Sequence, residues 1–254
     1  GLTMDPAATE LLTWRGKARY QAGDIEKAVR DFERAAALRS GDPLPHANLA
    51  LSWLAMGMNN KAEDAVEKAM RWSSRSPEEP AKAPQGRRVI EVARTEPVSL
   101  SAFVVAVSAR VYAAQGRYEK AVEVAAEAIR LDPRDEYAMN TQAWLLATLP
   151  DEKARSGTKA NAQARKLVER SKGLDPEHLE TLAAALAETG DFDKAVETQQ
   201  KAIKAYGLTP EAVERCRARV AKKDAPTPGT WELSVVARLI SYEGKTPFRL
   251  PNDR

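Results

Sequence analysis

Cys216 stands among Arg215, Arg217 and Arg219. Nearby cations lower a thiol's pKa and raise its reactivity. Nucleophilic chemistry would also need a histidine and an orienting acid beside it. The two histidines, His46 and His178, lie in distant stretches. Two histidines and one cysteine make no cluster with metal-ligand spacing. The carboxylate pair Glu78-Glu79 falls in a polar, proline-rich stretch and reads as solvated. Neither Gly-x-x-x-x-Gly-Lys-Ser/Thr nor Gly-x-Gly-x-x-Gly occurs, so no loop cradles a phosphate. The chain is therefore expected to be no enzyme and to carry no cofactor or metal. Cys216 reads as a half-buried small residue, and both histidines read as helix-surface residues.

What the sequence does contain is a recurring spacing of small residues. Gly23, Gly57, Gly116 and Gly190 are each followed five residues later by Ala28, Ala62, Ala121 or Ala195. Twelve residues after each glycine stands Ala35, Ala69, Ala128 or Ala202, and seven before it Gly16, Ala50, Ala109 or Ala183. A glycine between two apolar-periodic stretches takes positive φ and turns the chain back. Small residues on the facing sides let two antiparallel helices approach at the short end of the ~8–10 Å range. One such hairpin leaves its apolar face uncovered, so hairpins must stack.

The intervals locate the irregularities. Gly23 and Gly57 are 34 residues apart, so the first two units abut. The next interval, 59, holds 25 further residues over 73–97. Pro77, Pro80, Pro84 and Pro97 exclude one continuous helix there, and a short helix fits Arg87–Arg94. The interval of 74 to Gly190 accommodates a fourth, degenerate unit, with Ala143, Ala164 and Ser171 at the close-packing positions and a long loop over Pro150–Gly157. Three Asp-Pro pairs, at Asp42, Asp132 and Asp175, read as helix starts. Residues 209–224 read as a capping helix, and "APTPGT" breaks the chain. Trp231, Val235, Leu239 and Tyr242 have helical spacing and are expected to fold back on the last repeat or on a neighbour. "KTPFRLPNDR" reads as extended. The organisation is thus 5–72, two repeats; 73–98, an insertion; 99–208, three repeats; 209–224, a cap; 225–254, a final helix and tail.

Composition narrows the partners. A net charge of +3, from 39 basic and 36 acidic residues, is near balance and gives little hold on nucleic acid. No apolar run reaches the length of a membrane span. "GLTMDPAATE" lacks the form of a signal peptide. That slightly favours the cytoplasm, with a leader or domain ahead of Gly1 left open.

The spacing resembles the tetratricopeptide repeat (TPR) family. Residues 107–135, "VSARVYAAQGRYEKAVEVAAEAIRLDPRD", carry Ala109, Tyr112, Gly116, Tyr118, Ala121, Ala128 and Pro133 at the family's positions. The first copy adds Phe32, and "LAAALAETGDFDKAVETQQKAI" is nearly as clear. The resemblance implies an all-α, right-handed superhelix (α-solenoid) of about five helix-turn-helix repeats with C-terminal capping helices. The stretch from "AWLLATLPD" to "YEGKTPFR" also resembles the end of a group of bacterial TPR proteins. There Thr246 separates Lys245 from Pro247, where that group runs Gly-Lys-Pro. Arrays of that group are often attached to kinase-like or protease-like modules, and this chain shows none.

In TPR proteins the first helix of each repeat lines a concave groove. Carried over position by position, the resemblance places Trp14, Lys17, Asn48, Phe103, Arg110, Tyr137, Asn140 and Trp144 in it as partner-binding residues, with Glu177 and Glu180 beyond. Asparagine amides can pair with a peptide backbone, an arginine can hold a carboxylate, and Phe103 and Trp144 can anchor apolar side chains. The clamp that grips chaperone tails is not expected: Asn48 is in place, but Thr13, Lys17, Phe103 and Val107 fill its other positions. The expected role is a non-catalytic scaffold that takes a protein or peptide in the groove. The alternative is a structural or self-associating module of a larger assembly.

Overall fold

Four of the predicted turns are each made by a glycine in the left-handed region. Gly23, Gly57, Gly116 and Gly190 have φ of +82°, +70°, +73° and +82°. At Gly57 and Gly190 an added Cβ would meet nothing within 4 Å. Glycine is needed there for its backbone angle, which costs an L-residue about 1–2 kcal/mol. Gly16 is needed for a different reason. A Cβ there would lie 2.5 Å from the Phe32 ring, so the two helices meet backbone against aromatic.

The structure, a computed structural model, describes residues 6–73, 97–222 and 231–251. Among them are twelve α-helices and no strand. They are α1 Pro6–Gln21, α2 Ile25–Leu38, α3 Pro43–Ala55, α4 Asn59–Ser73, α5 Pro97–Ala114, α6 Tyr118–Leu131, α7 Glu136–Thr148, α8 Gly157–Arg170, α9 Pro176–Glu188, α10 Phe192–Ala205, α11 Pro210–Ala221 and α12 Trp231–Glu243. The protein is an all-α helical-repeat solenoid. The Glu78-Glu79 pair, the short helix over Arg87–Arg94, the "APTPGT" break and residues 252–254 lie outside the described residues.

Small residues close each hairpin. Ala28, Ala35, Ala50, Ala62, Ala69, Ala109, Ala121, Ala128, Ala183, Ala195 and Ala202 are all fully buried. The fourth hairpin turns without a left-handed glycine. α7 ends at Leu149, and a 3-10 turn over Glu152–Ala154 leads into α8. Arg155 fastens this loop by donating to the carbonyls of Leu149 (2.9 Å) and Pro150 (2.8 Å).

Helix starts follow the sequence with one correction. Asp42 and Asp175 accept hydrogen bonds from the first turns of α3 and α9, each with proline next. Asp132 instead ends α6, and its carboxylate accepts from the Arg134 amide. The residue that caps α7 is Asp135, which accepts from the Ala138 amide. Pro133 therefore lies in the connection, outside the first turn of α7.

The packing pattern sets the curvature. Each second helix (α2, α4, α6, α8) packs on its own partner and on the next first helix. Successive first helices (α1, α3, α5, α7, α9) also pack on one another, whereas successive second helices show no comparable packing among the described residues. The row is thus drawn together on the first-helix side and splayed on the other. A concave inner face lined by first helices results. At the C-terminal end, α12 packs on both α10 and α11. Leu233, Val235, Val236 and Leu239 form a core with Ile203 and Cys216.

Candidate functional site: the inner face of the first helices

The inner face divides into an open part, a polar centre and a covered end. At the open part Trp14 is 70% exposed and Leu11 69%. The Lys17 ammonium lies 5.5 Å from the centre of the Trp14 ring. Partial burial pulls the Lys17 pKa below its usual value. Asn48, in α3, is buried, and its amide donates to the Leu44 carbonyl of its own helix at 2.8 Å.

The centre joins Phe103, Arg110 and Tyr137. The Phe103 and Tyr137 rings are 4.8 Å apart and tilted by 57°. Arg110 Nη1 donates to the Tyr137 hydroxyl at 3.2 Å. The interaction with Tyr137 holds the guanidinium above its usual range, with Tyr20 and Glu177 adding to it and burial opposing. Burial in turn raises the Tyr20 and Tyr137 hydroxyls, and Arg110 works against both shifts. Glu177 is exposed, yet crowding by protein raises its carboxyl, with Arg110 pulling it down. Three first helices, α1, α7 and α9, thus place titratable groups around the one arginine of α5. Among the described residues Arg110 makes no ion pair of its own. One turn along α7 from Tyr137, the Asn140 Oδ1 is buried without a hydrogen-bond partner.

The far end is covered by the chain itself. The Trp144 ring lies 5.9 Å from that of Phe248, and the Arg238 guanidinium lies 5.5 Å from each. Arg238 Nε donates to Glu180 at 3.0 Å. Glu180 also accepts from Gln199 (3.1 Å) and from the Tyr206 hydroxyl (3.0 Å). Every residue of α9 from His178 to Ala187 is buried: α7, α8 and α10 pack on it, and Tyr242 of α12 and Phe248 of the tail share a core with Leu182, Ala183 and Leu186. The sequence reading expects α12 to fold back on the last repeat or on a neighbour, and α12 packs on α10 of that repeat; that reading did not place the tail against Trp144, and it missed Tyr20 and Arg238. The "GKTPFR" terminus was the available signal.

Residues considered for chemistry are scattered. Cys216 is buried, and burial raises its thiol despite Arg215 and Arg219. His178, read from sequence as a surface residue, is buried in the first turn of α9. Its ring faces Asp175 across 3.9 Å. Among the described residues, no group of three or more His, Cys, Asp or Glu could hold a metal ion, and no helix is long and apolar enough to cross a membrane.

Sequence models described as tetratricopeptide repeat match residues 4–80, 108–135 and 179–207, together more than half of the chain. The chain belongs to the tetratricopeptide repeat family. Solved structures agree on the fold. TTC0263, a thermophilic TPR protein of Thermus thermophilus, is 19% identical, with a TM-score of 0.55 over 92% of this chain and 98% of that one. PilW, a widely conserved type IV pilus biogenesis factor, is 14% identical, with a TM-score of 0.51 over 89% of this chain and 90% of that one. No curated protein matches the sequence. The TPR fold is in general that of a protein–protein interaction scaffold, and typically a non-catalytic one.

Proposed function

We propose that the open part of the TPR inner face, from α1 to α7, receives an extended peptide segment of a partner protein. Arg110 holds a carboxylate of that peptide, Asn140 pairs with its backbone, and exposed Trp14 with Leu11 gives an apolar anchor at the other end. The observation that carries this reading is the state of Arg110. It is half-buried, donates to the Tyr137 hydroxyl, and lacks an ion-pair partner among the described residues. A guanidinium has five N–H donors in a fork that matches a carboxylate. A guanidinium that has lost part of its hydration gains from an anion of that shape. Glu177 forms no ion pair with Arg110 among the described residues, so the guanidinium is left to a ligand. Self-association through α12 has less support, since Val235, Leu239 and Tyr242 are already buried against this chain.

Selection of ligands from a random peptide library tests the reading. Enriched peptides should carry Asp, Glu or a free C-terminal carboxylate. Arg110→Gln should weaken them about ten- to a hundredfold, the worth of a charge-assisted hydrogen bond, with helix content unchanged. Ligands that bind Arg110→Gln as well as the unchanged chain would defeat the assignment.

A further inference from the structure

We propose that residues 246–250 are a tethered ligand, seated in a built site that also accepts an aromatic–arginine–leucine segment of another polypeptide. The stretch has no regular secondary structure, and its contacts are those of a bound peptide. Its backbone takes part: the Leu250 amide donates to the Thr148 carbonyl at 2.8 Å. That carbonyl belongs to the last turn of α7, where carbonyls lack helical partners. Its side chains alternate in role. The Phe248 ring packs against Trp144 at a tilt of 37°. Arg249 forms an ion pair with Glu188 at 2.5 Å and donates to the Ala147 carbonyl at 3.4 Å. A helix C-terminus favours a cation at that point. Leu250 packs against the core around Leu145 and Leu149.

The cradle does not depend on its occupant. Glu188 is independently held by Arg155 Nε at 2.9 Å, with both side chains nearly buried. Arg238, which lies against the Trp144 ring, is independently held by Glu180. Removing the tail would therefore leave a preorganised apolar ring beside a carboxylate and free helix carbonyls. The tether is short. α12 ends at Glu243, and the Thr246 amide returns to the Ser241 carbonyl. Such a tether gives an effective concentration on the order of millimolar. An external segment therefore displaces the tail only when it binds better or when the tail is weakened. The inference is independent of the role proposed for Arg110, because none of these contacts involves that residue.

The test uses the full chain carrying Phe248→Ala, Arg249→Glu and Leu250→Ala together. The probe is a fluorescent peptide with the sequence of residues 245–251, Lys-Thr-Pro-Phe-Arg-Leu-Pro, followed by anisotropy. The triple variant should bind it at least tenfold more tightly than the unchanged chain. A peptide with Glu for Arg should not bind, and Glu188→Lys added to the triple variant should abolish binding. Equal binding to the variant and the unchanged chain, or none to either, would overturn the proposal. So would loss of helix content or of cooperative unfolding in the triple variant, because the tail would then be part of the core and not an exchangeable ligand.

Discussion

Glu180→Ala should lower the unfolding free energy by about 3–5 kcal/mol, the usual cost of stranding one member of a buried ion pair. The side chains of Glu180 and Arg238 are only 10% and 11% exposed. The carboxylate also accepts from Gln199 and Tyr206, so its removal leaves Arg238 and the Tyr206 hydroxyl without an acceptor, while Gln199 keeps the Val235 carbonyl. Arg238 would keep only the faces of Trp144 and Phe248, worth about 1–2 kcal/mol together at a desolvated site. The consequence reaches beyond α9, because this network ties α12 to the array. Replacing both partners, as in Glu180→Leu with Arg238→Leu, should recover much of the loss, since two apolar groups of similar volume leave no unpaired charge. Urea unfolding followed by helix circular dichroism measures both variants. A single-variant loss below about 1 kcal/mol, the range of an exposed pair, would contradict the arrangement.

Phe32→Ala should cost about 3–5 kcal/mol, the range for deleting a buried aromatic. Phe32 is 1% exposed and fills the space that Gly16 leaves. The partner substitution distinguishes close packing from simple loss of apolar area. Alanine is favoured over glycine in a helix interior by about 0.8–1.0 kcal/mol, so Gly16→Ala would stabilise α1 if space allowed. With Cε1 of Phe32 only 2.5 Å from the new Cβ, the sign reverses and the variant should be less stable, by about 1–3 kcal/mol. In a Phe32→Leu background the obstruction shrinks, so the same glycine-to-alanine change should lose most of its cost. Thermal or urea midpoints of the four proteins complete the cycle. Additive effects would show that the two residues do not touch.

The hairpins were legible because one physical demand recurs. Two helices that approach closely need small residues at fixed steps from a turn. Gly23, Gly57, Gly116 and Gly190 mark that turn by their backbone angle, so the sequence announces it. The fourth hairpin was legible only through Ala143 and Ala164, since a longer loop replaces its glycine. Asp132-Pro133 misled because the same dipeptide serves a connection as readily as a helix start, and one aspartate three residues later does the capping. The candidate site was less legible. Repeat positions place Phe103, Arg110 and Tyr137 on the same side of neighbouring helices, but they do not say what covers a side chain. Trp144 occupies a groove position and lies under Phe248. Asn48 occupies another and turns its amide to its own helix. Covering by a distant segment depends on contacts more than a hundred residues apart, such as Arg249 with Ala147, and no local pattern encodes those.

Amide hydrogen exchange of the full chain, with and without a library-selected carboxylate peptide, tests the central claim most directly. If a partner segment lies on the concave side, protection should rise along α1, α5 and α7 and leave α2, α4 and α6 unchanged. It should disappear in Arg110→Gln at the same peptide concentration. Protection confined to the second helices, or spread evenly over both layers, would contradict the account.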